Sequence, residues 1–172
     1  IDAGKAFDWG KTSEYYAKYR DIYPDVFYQK IADRGLCVKG QKVLDLGTGT
    51  GVLAIFAKRL GAQQVVAVDI DDKSVVNAQE NAALNGEQID VRLGDTVPEG
   101  TYDLILANIH RNILLANMPA YAAHLAPQGE LWLSGFYDED CPILQQAAAQ
   151  QGLTHTATQT NNEWRMLRFI KQ

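Results

Sequence analysis

Three glycines at alternate positions, Gly47, Gly49 and Gly51, follow directly on the apolar, acid-bearing run Val43-Leu44-Asp45-Leu46. Glycine carries no side chain, so a turn built this way lets backbone come very close to a bound group. The spacing suits a nucleoside-type ligand held at the end of a buried strand. Asp45 narrows the choice of ligand. A carboxylate two residues before the first glycine repels a pyrophosphate and attracts the ammonium of an amino acid. The dinucleotide fingerprint G-x-G-x-x-G would also place its third glycine at position 52, where this chain has Val52.

A second acid, Asp69, closes the apolar run Val65-Val66-Ala67-Val68. In a parallel sheet this strand lies beside the first, so its terminal carboxylate reaches the glycine turn and can accept both hydroxyls of a ribose. The alternative for Asp69 is an N-cap of the next helix, a role for which Asp71 and Asp72 are equally well placed. A ribose acid is common to NAD and S-adenosylmethionine (SAM) sites. The glycine spacing and Asp45 select SAM, which becomes S-adenosylhomocysteine (SAH) on giving up its methyl group. A nicotinamide-dependent oxidoreductase is the reading these residues oppose. Methyl transfer from a sulfonium leaves the reactive chemistry to the cofactor, and the protein binds, orients and desolvates. No catalytic triad or metal-ligand spacing is visible in the chain, and none is required.

Strands and helices alternate after Lys42, the pattern of a parallel sheet covered on both faces. Strands are predicted at 42–46, 64–69, 89–93, 102–107 and 130–134. Helices are predicted at 52–60, 72–85, 118–125 and 139–151, the second and last closed by Asn85-Gly86 and Gln151-Gly152. Segments 153–158 and 164–170, joined by the polar turn Thr160-Asn161-Asn162-Glu163, read as an antiparallel hairpin. The expected fold is therefore α/β and Rossmann-like: a doubly wound, mostly parallel seven-stranded sheet finished by an antiparallel hairpin. That is the class I SAM-dependent methyltransferase architecture; a symmetric dinucleotide fold would want a further parallel strand.

The segment before the sheet has another character. Phe7-Asp8-Trp9-Gly10-Lys11-Thr12-Ser13-Glu14-Tyr15-Tyr16-Ala17-Lys18-Tyr19-Arg20 is dense in aromatics, and 25–34 reads as a helix entered after Pro24 and ended by Gly35. Tyr15 and Phe27 suit packing on a sheet face. Trp9, Tyr16, Tyr19 and Arg20 suit a lid, which needs flat apolar faces for the cofactor and a cation for the methionyl carboxylate. The chain is thus expected to be a single SAM-dependent methyltransferase domain, 1–172, with a helical lid over 1–40 and a Rossmann-like core over 41–172.

The 172 residues are 47% hydrophobic and carry a formal net charge of −5. They suit one globular domain with a real core and argue against a broad footprint on nucleic acid. Cys37 and Cys141 follow no metal spacing and are expected to be buried, reduced thiols of a cytoplasmic protein. No stretch is apolar for long enough to span a bilayer, so no membrane partner is expected. Ile1 in place of an initiator methionine suggests that some leading residues are missing.

From about Ala54 onward the chain resembles the ribosomal protein L11 methyltransferase family. The similar stretches are Val43–Gly51, Val68-Asp69-Ile70-Asp71, Glu80-Asn81-Ala82-Ala83-Leu84-Asn85, Tyr102-Asp103-Leu104-Ile105-Leu106-Ala107-Asn108-Ile109, Leu133-Ser134-Gly135 and Glu163-Trp164. The N-terminal third, with Tyr16-Ala17-Lys18-Tyr19-Arg20, looks like the lid of a different, small-molecule-type branch. The two likenesses together imply a recombined chain with a junction near Gly51–Ile55, whose alternative function is that of a SAM- or SAH-binding scaffold with little turnover. The family's Phe-Gly-Thr-Gly-x-His-x-Thr-Thr loop and its separate N-terminal domain are not found in this sequence.

The resemblance implies roles for particular residues. Asp45, Gly47 and Gly49 line the methionyl and ribose side, with Thr48 and Thr50 nearby. Asp69 takes the ribose hydroxyls, Ile70 packs on the adenine, and Asp95 accepts from the adenine amino group or is simply a turn residue. Asn108 ends the fourth strand and takes the catalytic place, its side-chain oxygen accepting from an amine so that the nitrogen lone pair faces the methyl. The implied acceptor is an amine or a protein. Asn108-Ile109-His110-Arg111 stands where the more familiar amine-methylating motif has Asn-Pro-Pro-aromatic. His110 is either a base for a protonated acceptor or an exposed loop residue. Arg111 and Asn112 either meet an acidic substrate or cap a helix. Trp132 and Trp164, in predicted strands, are expected in the core.

Overall fold

The computed structural model describes residues 39–172. The expected lid, with Tyr19, Arg20 and Cys37, lies outside them. Seven strands form one sheet in the order β3-β2-β1-β4-β5-β7-β6: β1 Lys42–Leu46, β2 Gln64–Asp69, β3 Asp90–Leu93, β4 Tyr102–Asn108, β5 Leu125–Tyr137, β6 Leu153–Asn161 and β7 Trp164–Lys171. The first five run parallel, and β7 pairs antiparallel with both β5 and β6. This is the doubly wound, hairpin-finished sheet that the alternation of elements predicts.

β1 and β2 are apolar at nearly every position because both faces of these parallel strands are buried. Register divides the core into two layers. Leu44 lies beside Val66 and Ile105, and Ile105 beside Leu131, so one face carries this apolar row across the sheet. The row packs with Leu114, Met118 and Tyr121 of α3 (Arg111–His124) and with Leu144 and Ala148 of α4 (Cys141–Gln150). On the opposite face, Val43 and Asp45 meet α1 (Val52–Arg59), whose Ala54, Ile55, Phe56 and Ala57 are buried. Helix α2 (Asp72–Leu84) flanks β2 and β3 beyond it. Asp71 caps α2 by accepting from the Ser74 amide, which leaves Asp69 to other work.

Several local expectations need correction. Helix α3 begins at Arg111, seven residues before the predicted Met118, and contains Pro119 within its span. Pro119 is exposed, and α3 continues through it on the packing of Leu114, Met118 and Tyr121. Strand β5 is longer than predicted, with a register shift between its Tyr102↔Leu125 and Leu104↔Glu130 pairs. Trp164 is not core: it is half exposed and stacks on Tyr137 with ring centroids 4.8 Å apart. Trp132 is half-buried, donating from Nε1 to Glu130 Oε2 at 2.7 Å while the Arg168 guanidinium lies over its ring.

Candidate active site at the carboxyl ends of the strands

The acids and glycines singled out above converge where β1, β2, β4 and β5 end. Asp45 is 1% exposed on the α1 face of β1. Its Oδ2 accepts from the Thr48 hydroxyl at 2.6 Å and from the Ala54 amide at 3.2 Å. Its Oδ1 is buried and has no hydrogen-bond partner among the described residues. Burial pushes this carboxyl up to about 6, against the two hydrogen bonds that favour its ionised form. A buried carboxylate oxygen left unpaired is destabilising unless a cation or donor arrives to meet it.

The glycine loop spends its amides internally. Gly47 and Thr48 both donate to the Val68 carbonyl, at 2.8 and 3.0 Å, and Gly51 donates to Thr48 O at 2.9 Å. Gly49 donates to Asp69 Oδ2 at 2.8 Å. These four amides therefore form no anion cradle of the kind a pyrophosphate uses. What the loop supplies is space. Gly49 has φ +57 and nothing within 4 Å of where a side chain would begin. Asp69, half-buried, also accepts from the Asp71 amide through Oδ1 at 3.0 Å. Each of its oxygens keeps a second lone pair for a ligand hydroxyl.

The other expected positions fall on the same rim. Ile70 follows Asp69 and is 74% exposed, an apolar surface free to cover a flat ring. Asp95 is exposed in the bend after β3, where Gly94 donates back to the Asp69 carbonyl at 2.8 Å. Asn108 ends β4, where its backbone pairs beside Ser134 of β5, and it is exposed, its side chain making no hydrogen bond among the described residues. His110 is the N-cap of α3, its Nδ1 accepting from the Asn112 amide at 3.4 Å. Arg111 is engaged: Nη1 donates to Asp140 Oδ1 at 2.6 Å, holding that carboxyl below the usual carboxylate range although burial pushes the other way. Asp140 also accepts from the Tyr137 amide at 3.2 Å, so the pair ties the start of α3 to the end of β5.

Two contributors escaped the sequence reading. Asn81 of α2 donates from Nδ2 to the Thr50 carbonyl at 2.8 Å and so holds the glycine loop from outside. Its signal was the polar stripe Asn77, Asn81, Asn85 at four-residue spacing, since Asn77 Oδ1 and Asn85 Nδ2 bond to Asn81 in turn. Gly135 of β5, at φ +91, admits the Asn108–Ile109 backbone so closely that a Cβ there would lie 2.9 Å from Asn108 Oδ1 and 3.0 Å from the Ile109 carbonyl. Pairing between distant strands is what makes that approach, and spacing along the chain does not reveal it. Among the described residues no group of acids, His and Cys could hold a metal ion, Cys141 is a buried free thiol, and no helix is long and apolar enough to cross a membrane.

Known proteins share both the sequence and the fold. The family model for ribosomal protein L11 methyltransferase (PrmA) matches residues 31–172, a segment that includes β1 and the glycine loop. The expected junction near Gly51–Ile55 lies inside it. The ribosomal protein L11 methyltransferase of Porphyromonas gingivalis is 52% identical over 136 residues, covering 77% of this chain and 47% of that protein. That of Phocaeicola vulgatus is 44% identical over 137 residues, covering 77% and 49%. The chain thus spans about half the length of these relatives. The crystal structure of ribosomal protein L11 methylase from Lactobacillus delbrueckii superposes with a TM-score of 0.78 at 36% identity, covering 84% of this chain and 78% of that one. A methyltransferase from Pyrococcus furiosus shares the fold, with a TM-score of 0.74 at 18% identity over 96% of this chain and 99% of that one.

Proposed function

The chain belongs to the ribosomal protein L11 methyltransferase family, and on that premise we propose that it is a SAM-dependent methyltransferase acting on an amino nitrogen of a protein. The observation that carries the reading is the unpaired Asp45 Oδ1, buried beside a glycine loop whose four bonded amides offer a phosphate nothing. An ammonium is the partner this oxygen lacks. Asp69 has lone pairs left for two ribose hydroxyls, Ile70 gives the adenine an apolar face, and Asp95 stands beyond it to accept from the amino group. Gly47 and Gly49, with Thr48 between them, keep backbone rather than side chain against the methionyl and ribose part.

SAM, when bound, supplies an electrophilic methyl group on its sulfonium. The remaining work belongs to the chain. Asn108 Oδ1 accepts a hydrogen bond from the acceptor amine and so aims its lone pair along the transfer axis. His110 Nδ1 is occupied as a cap, which leaves Nε2 as the nitrogen able to take up the proton that a protonated amine must lose. Cytoplasmic location follows from a ribosomal-protein acceptor.

Calorimetric titration with SAH, on the wild type and on Asp69→Ala, tests the cofactor half. Micromolar binding that the variant loses is the expected result, and no binding by a folded wild type refutes the proposal. A methylation assay with L11 and with free amines tests the acceptor half. It also separates the enzyme from a SAM-binding scaffold without turnover. Binding without methylation of any acceptor would select the scaffold.

A further inference from the structure

We infer that Ile109 is a positioning residue: a β-branched wedge that sets the glycine loop of β1 and the acceptor-facing Asn108 of β4 in one fixed relation. The inference rests on the function proposed above and adds a residue to it. Ile109 is half-buried immediately after β4 and packs against the hydrophobic core. Two glycines from two other strands make room for it. At Gly47, which has φ +72, an added Cβ would overlap Ile109 Cγ2, so this methyl group occupies the space where the loop's first side chain would be. At Gly135, which has φ +91, an added Cβ would lie 3.1 Å from the Ile109 nitrogen, 3.0 Å from its carbonyl oxygen and 2.9 Å from Asn108 Oδ1. Ile109 is therefore gripped by its side chain on the cofactor side and by its backbone on the β5 side. The side chain of Asn108, the residue it follows, makes no hydrogen bond among the described residues.

The shape of the side chain matters more than its volume. Cγ2 is the atom at Gly47, and it exists because isoleucine branches at Cβ. Valine keeps that methyl group. Leucine has the same number of carbons as isoleucine but carries no Cγ2, and a residue serving only to fill the core tolerates this exchange well. A wedge does not tolerate it.

The test compares Ile109→Leu, Ile109→Val and Ile109→Ala by SAH titration, thermal melting and, with a methylatable acceptor, separate kcat and KM values. The expected pattern is wild-type SAH affinity in Ile109→Val and a loss of about tenfold or more in Ile109→Leu at a nearly unchanged melting temperature, since sub-ångström misplacement of reacting groups carries penalties of that order. In the assay Ile109→Leu should lower kcat as well, because Asn108 moves with its neighbour. SAH affinity and kcat at wild-type levels in a folded Ile109→Leu would overturn the inference. Should that variant fail to fold, Val and Ala decide: Val intact with Ala weakened supports the wedge, and the two behaving alike overturns it. A wild type that binds no SAH at all would instead fault the proposed function, so the two failures are distinct.

Discussion

Replacing Asp45 by Asn should make the ligand-free protein gain stability as pH rises, relative to the wild type, while weakening its site. Burial raises the folded-state carboxyl from 3.8 to about 6. The native state therefore holds this proton more tightly than the unfolded chain does. In the wild type, stability is undiminished below pH 4, falls as pH rises towards about 6, and stays at the lower level above it. A displacement of that size amounts to roughly 3 kcal/mol once the group is fully ionised. The amide of the Asp45→Asn variant would not titrate. It can still accept from the Thr48 hydroxyl and the Ala54 amide, but it would bury an NH2 group where Oδ1 now lies. That pH-independent penalty, about 1–3 kcal/mol, cancels when the variant is compared with the wild type at two pH values. Urea unfolding of both proteins near pH 4 and near pH 7.5 is the assay. The difference between them should move in favour of the variant by roughly 2–2.5 kcal/mol from the lower to the higher pH, since at pH 4 the unfolded carboxyl is already more than half ionised. A difference that does not change with pH would mean that Asp45 meets a cation of the protein itself, and the argument for a ligand ammonium would fall. Repeating the pair with saturating SAH should shrink the pH effect in the wild type, because the ammonium then faces the ionised form.

Other perturbations separate the parts of the site. Gly49→Ala meets only open space, so it should cost folding about 1–2 kcal/mol through its positive φ while abolishing SAH binding, as melting and calorimetry together would show. Gly47→Ala adds overlap with Ile109 to the same backbone strain and should lower stability by a further 1–3 kcal/mol or so in urea unfolding. Asn81→Ala removes the donor to Thr50 O at 2.8 Å; a loss of about 1–2 kcal/mol and weaker SAH binding are expected, and unchanged affinity would remove Asn81 from the site. Arg111→Ala should raise the Asp140 carboxyl and cost about 1 kcal/mol near neutrality, Arg111 being well exposed. Because Asp140 is held below its ordinary value, that stabilisation exists above pH 4 and fades as acid protonates it, so acid unfolding curves of the two proteins should converge at low pH.

The frame of the molecule was legible where a signal is local. The β1 run, its glycine turn and Asp69 at the end of β2 fall where the spacing puts them, because a buried parallel strand writes its apolar faces directly into consecutive residues. Gly86 and Gly152 close α2 and α4 at φ 69 and 76, which short-range cap chemistry foretells. The errors arose where distant contacts outweigh local preference. The sequence predicts a helix start at residue 118, yet the burial of Leu114, Met118 and Tyr121 extends α3 a further two turns towards Asn108. Trp164 has strand character, but its partner is Tyr137 on the neighbouring strand β5 rather than the core. At the site, the acids could be read from their types; the grip on Ile109 could not, since Gly47 and Gly135 meet it only after three strands are aligned.

The insertion of β7 between β5 and β6 dictates an order of events during synthesis. Among the described residues β6 borders no strand except β7, so residues 153–161 have no described backbone to pair with until residues 164–171 have been made. Leu167 and Phe169 of that late strand are fully buried among Leu131, Leu133 and Leu144, which a growing chain must leave uncovered. The nascent protein therefore displays a long, unpaired β5 edge and an open apolar layer until its last described strand arrives. Pairing of β6 consequently waits on β7. A nascent chain halted before β7 offers the cell a natural substrate for chaperones or proteases.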